Sequence, residues 1–69
     1  MIGIFELNGT FDIPVFARVN SENVTYLEDC GEYNMDINQR VKTRIHFLGG
    51  DYIVVDELAN KVEKELWGA

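Results

Sequence analysis

The stretch RIHFLGGDYIVVDELANKVEKEL, residues 44–66, carries three structural signals in a row. Thr43, Ile45 and Phe47 alternate with Arg44, His46 and Leu48, the period of a strand that is wet on one face. Gly49-Gly50 supplies a tight turn and DYIVV returns, so the pattern predicts a hairpin with strands at 43–48 and 51–55. Asp56 is placed to accept an orphan backbone N–H at the start of a helix over about 57–67. In that helix Leu58, Val62 and Leu66 fall at i, i+4 and i+8 and form one apolar stripe, with Ala59 beside it. Glu57 and Lys61 form an i,i+4 pair of favourable order, worth ~0.2–0.5 kcal/mol, and Gly68 is suited to close the last turn. So short a helix is marginal alone. It must lie on a sheet.

Upstream, IGIFEL (2–7) is rich in β-branched and aromatic side chains and reads as a strand. Asn8-Gly9 is the strongest short signal for a type I′ hairpin turn, which predicts a second strand over 11–19 that Pro14 breaks or confines to an edge. SEN (21–23) is a turn cluster and VTYLEDC (24–30) a third strand. GEYNMDINQ (31–39) reads as a loop, although Tyr33, Met35 and Ile37 at spacing two allow an extended piece within it. The expected fold is α+β: one domain, 1–69, with a small, mostly antiparallel sheet or partly open barrel of about five strands and one C-terminal helix.

A chain of 69 residues is near the lower size limit for folding without help. One cysteine, Cys30, excludes an internal disulfide, and one histidine, His46, leaves no His/Cys set for zinc. A second copy or a protein partner is therefore the expected support, and no cofactor or metal is expected. No basic segment followed by an apolar run opens the chain, so a cytoplasmic protein is expected. The net charge of −6 opposes the counterion release that drives nucleic-acid binding. It favours instead a partner with a basic surface.

Glu28, Asp29 and Glu32, with Asp36 further on, form the densest acidic run. Their spacing matches no EF-hand loop, so they read as a solvated face or as part of a partner-binding patch. Tyr33 and Trp67 are the aromatic candidates for the same patch; Trp67, at the rim of the helix stripe, either caps the core or faces a partner. Arg44, His46 and Tyr52 are candidates for contacts to an anionic small ligand, because a cation, a titratable ring and a stacking surface recur within a few residues. No serine or cysteine stands in a nucleophile motif, and Gly49-Gly50 leads into a strand rather than the helix a phosphate loop needs. No catalytic residue is expected.

The order of pieces resembles the small FlbD-like proteins of bacterial flagellar operons. The resemblance rests on Leu7-Asn8-Gly9 after the first strand, on NSENVTYLED (20–29), and on LGGDYIVVDELANKVEKEL (48–66), and covers nearly the whole chain. The layout is also similar to that of short phage and prophage proteins. The resemblance implies a motility-associated protein without enzyme activity. The residues themselves point to a small acidic, non-enzymatic interaction protein that binds a partner protein, such as an inhibitor seated on a nucleic-acid-binding surface. The other reading is an oligomer that binds a nucleotide-like ligand.

Overall fold

The computed structural model describes residues 1–68. Its elements run β1 (Ile2–Glu6), β2 (Phe16–Asn20), a 3₁₀ turn (Ser21–Asn23), β3 (Val24–Asn34), β4 (Gln39–Phe47), β5 (Tyr52–Val55) and α1 (Ala59–Trp67). β1 and β2 form an antiparallel ribbon, and β3, β4 and β5 an antiparallel sheet in that order. The fold is a small α+β structure of five strands and one C-terminal helix, as the alternation and the helix stripe predict.

Two joints turn these sheets into one body. At the first, Leu7 bridges Val55, Asn8 N–H donates to Val54 O at 2.9 Å, and Asp56 N–H donates to Glu6 O at 3.0 Å. At the second, the 3₁₀ turn bends the chain directly from β2 into β3, while Leu48 N–H donates to Asn23 O at 2.9 Å. The pairing therefore runs β1–β2, through the bend to β3–β4–β5, and back to β1. Phe5, Val19, Ile45, Val55, Val62 and Leu66 fill the interior, each nearly or wholly buried. Burying side chains of this kind is worth ~1.5–3 kcal/mol apiece before chain entropy is set against it.

The first joint explains why the Asn8-Gly9 hairpin does not form. Asn8 has no left-handed backbone, which a type I′ turn requires. β5 takes Leu7 and Asn8 as an extension of β1 instead, and the chain crosses to β2 through a wide loop closed by Leu7 N–H donating to Val15 O at 2.8 Å. The Phe11 ring lies over Gly9, where any Cβ would stand. β2 accordingly starts at Phe16, two residues after Pro14, rather than at residue 11.

The second difference lies at 31–39, read as a loop, which is the tip of a long β3–β4 hairpin. Strand pairing continues through Tyr33↔Arg40 and Asn34↔Gln39, with a bulge between Cys30 and Tyr33 where Gly31 takes φ 81°. Asn38 takes the left-handed conformation at φ 55°, and Asp36 N–H donates to Asn34 Oδ1 at 2.9 Å, an Asx turn. Polar side chains here serve a turn and not a loop. The β4–β5 hairpin follows its signal: Gly50 has φ 93° and the strands meet across Leu48–Gly50.

The helix starts two residues later than its apolar pattern suggests, at Ala59, with Leu58 at the N-cap and no side-chain cap. Asp56 pairs with Lys42 at 2.7 Å, and the Thr43 hydroxyl donates to Glu57 O at 2.8 Å. These contacts hold a bend at 56–57 against β4. Val62 and Leu66 are buried as the stripe demands, and Gly68 ends the helix with φ 72° and its N–H on Lys64 O.

Gly3 faces inward beneath the helix. A Cβ there would lie 2.7 Å from the Phe5 ring and 3.0 Å from a Leu66 methyl, and both side chains are buried in the core. Glycine in an open strand is ~0.5–1 kcal/mol worse than alanine, so Gly3→Ala would stabilise the chain if the site were clear. The expected result is the reverse, a loss of ~1–3 kcal/mol from overpacking, read as a lowered thermal midpoint. A raised midpoint would contradict this packing.

Candidate interaction site on the outer sheet face

Strand alternation gives the β3–β4–β5 sheet an inner face, with Leu27, Ile45 and Ile53 abreast, and an outer face in four rows. The rows read Tyr26–His46–Tyr52, Glu28–Arg44–Val54, Cys30–Lys42 with Asp56 beyond, and Tyr33–Arg40. The outward side of β4 is thus a line of Arg40, Lys42, Arg44 and His46 between two flanks of tyrosine and carboxylate.

In the first two rows the side chains lock together. Tyr26 stacks on His46 with ring centroids 4.0 Å apart and 11° between planes. Tyr52 tilts against the other side of His46 at 5.5 Å, and the Arg44 guanidinium lies 4.8 Å over the Tyr52 ring, a cation–π contact. Glu28 Oε1 accepts from Arg44 Nη1 at 3.1 Å and lies 2.9 Å from His46 Nε2. An ionised carboxylate only accepts, so Nε2 carries the proton. Arg44 Nε is buried beneath this array without a partner among the described residues. The guanidinium is therefore held by its Nη1 bond and by the Tyr52 ring.

The hydrogen bond from His46 lowers the pKa of Glu28 against a smaller opposing effect of desolvation, and Arg44 lowers it further by charge and hydrogen bond. His46 is mostly covered, whereas Tyr26 and Tyr52 stand half exposed. The result is an interlocked array whose two tyrosines reach solvent and whose charges are already paired.

The structure brings Arg44, His46 and Tyr52 together, and adds Glu28 from the acidic run. That carboxylate accepts from both Arg44 and His46, the place an anionic ligand would take. The acidic run itself is divided. Glu28 faces outward, Asp29 belongs to the inner-facing set opposite Thr43, Glu32 lies in the bulge and Asp36 in the hairpin turn. Tyr33 is half exposed, and its hydroxyl donates to Asn38 Oδ1 across the hairpin end. Trp67, also half exposed, ends a helix that packs on the inner side. It is not part of the outer face.

Tyr26, with Tyr33 and Tyr52, is one of the tyrosines that could line an interface or a ligand pocket on the sequence alone, whereas Lys42 and Arg40 are members of the face that the sequence reading leaves out. Their signal is present in QRVKTRIH, where Arg40, Lys42, Arg44 and His46 recur at spacing two. Starting the strand at 43, where β4 in fact begins at Gln39, hid that alternation. Cys30 is a half-covered free thiol in the third row. Among the described residues no pocket is enclosed, no three His, Cys, Asp or Glu side chains converge as a metal site, and no helix is long and apolar enough to cross a membrane. No protein-family model, curated protein or solved structure matches the chain.

The Glu28 network has a pH signature. A carboxyl whose folded pKa lies below its unfolded value contributes stability that is complete above the unfolded value and is lost as pH falls through the folded one. The stability difference between the protein and Glu28→Gln should therefore shrink on acidification across that interval. In His46→Ala the Glu28 carboxyl should titrate closer to ordinary glutamate, observed by carbon chemical shift in an NMR titration. An unmoved midpoint would remove His46 as the main cause.

Proposed function

We propose that this protein is a non-enzymatic interaction protein that docks a protein partner on the outer face of β3–β4–β5. The observation that carries this reading is the Tyr26–His46–Tyr52–Arg44 array, with its two tyrosines half exposed and its side chains stacked on one another. Tyrosine and arginine dominate the energetics of protein interfaces, because large side chains ordered beforehand lose little freedom on binding. Here stacking and the Glu28 bonds supply that order before any partner arrives.

The geometry favours a protein over the other occupants considered. A small ligand laid on an open sheet face keeps much of its surface in water, whereas binding sites for such ligands bury most of it. A nucleic acid needs cations free to meet phosphates, and Lys42 and Arg44 already face Asp56 and Glu28. The chain's charge of −6 favours a partner with basic groups around the contact. Within that class belongs an inhibitor occupying the basic surface of a nucleic-acid-binding protein.

The test is affinity capture from bacterial lysate with the protein and with the Tyr26→Ala/Tyr52→Ala pair side by side. A specific retained protein should lose about tenfold or more in affinity with the pair, as anchor side chains do. Its binding should also weaken as salt rises. Equal retention by both forms, or binding that salt leaves unchanged, would place the contact elsewhere.

A further inference from the structure

The β1–β2 ribbon carries a second surface, made of different residues. Its inner side holds Gly3, Phe5, Ala17 and Val19 against the core and helix. Its outer side presents Ile2, Ile4 and Phe16, which are 56%, 54% and 60% exposed. Three large apolar side chains so placed on two adjacent five-residue strands form a continuous greasy strip rather than scattered exposure. The loop that leaves the Phe16 end of the ribbon adds Phe11 and Ile13, also at least half exposed.

The charges on the strip indicate what covers it. The register sets Ile4 beside Arg18 and Glu6 beside Phe16, so one acid and one base lie diagonally across the apolar centre. Among the described residues, neither Glu6 nor Arg18 has an ion-pair partner. A chain of net charge −6 repels its own copies in general, yet this strip is locally neutral and carries both signs. An isologous interface requires a patch complementary to itself. A two-fold axis through the centre of this one sets Glu6 of each copy against Arg18 of the other and apolar side chains against apolar side chains.

We propose that a second copy of this chain covers the β1–β2 face, ribbon against ribbon, with two symmetric Glu6–Arg18 pairs across a centre of Ile2, Ile4 and Phe16. A stable interface takes about 800 Å² from each partner, roughly a sixth of this chain's 4873 Å². The strip together with the apolar part of its loop is the region that supplies it. The dimer leaves the Tyr26–Tyr52 face free, so it stands or falls separately from the partner reading.

Sedimentation equilibrium or native mass spectrometry of the full chain tests this directly. The protein should be dimeric. Ile4→Asp should be monomeric with an unchanged circular dichroism spectrum, since Ile4 is exposed in the single chain. Glu6→Arg and Arg18→Glu should each raise the dimer dissociation constant about tenfold, and the two together should restore it. Tyr26→Ala should leave the dimer intact. A monomeric protein, including one that floats with lipid vesicles instead of pairing, would overturn the proposal. So would a dimer that survives Ile4→Asp, or charge reversals whose effects add rather than cancel.

Discussion

The contact on which the structure depends is the joint between the end of β1 and the end of β5. Without it, β1–β2 would be an isolated two-stranded ribbon, which is marginal in water, and β3–β4–β5 a sheet with one side of its core uncovered. The Leu7–Val55 bridge and its two flanking hydrogen bonds bring Phe5 and Val19 onto Ile45 and Val55. The helix then seals the opening with Val62 and Leu66. Each of the six interior residues comes from an element that alone would not hold, so burial and strand closure form together.

That joint also decides what could be read from the sequence. The β4–β5 hairpin and the helix stripe are encoded locally, in Gly50 with positive φ and in Leu58, Val62 and Leu66. Both are legible. Asn8-Gly9 is an equally strong local signal, and it loses to a distant partner: Val54 O accepts from the Asn8 N–H and draws residues 7–8 into an extended pairing with β5. Asp56 shows the same competition, since Lys42 from β4 offers its carboxylate an opposite charge in place of a helix N-terminus.

The candidate site was legible in part for the same reason. Arg44 and His46 share a strand, and alternation alone puts them on one face. Glu28 and Tyr26 join them only through the register between β3 and β4, which rests on a bulge at Gly31 and a turn at Met35–Asn38. A one-residue slip would send Tyr26 and Glu28 to the core side and Leu27 to solvent. Burial of Leu27 against Ile45 excludes that slip, so the interior fixes the composition of the outer face.

Charge placement follows from this geometry as well. Of the six basic residues, Arg40, Lys42 and Arg44 stand on one side of β4, the middle strand of its sheet. A central strand has neighbours on both sides, so Arg44 meets Glu28 from β3 and Lys42 meets Asp56 just beyond β5, while Arg40 donates to the Gly31 carbonyl oxygen. Opposite charges directly across a ladder contribute roughly 0.2–1 kcal/mol each, and like charges there would oppose pairing. An acidic chain that concentrates its bases on a central strand keeps the sheet's middle electrically satisfied and moves its excess negative charge to edges, turns and helix. The tyrosine and histidine rings of the first row therefore lie beside charges already neutralised by their cross-strand partners.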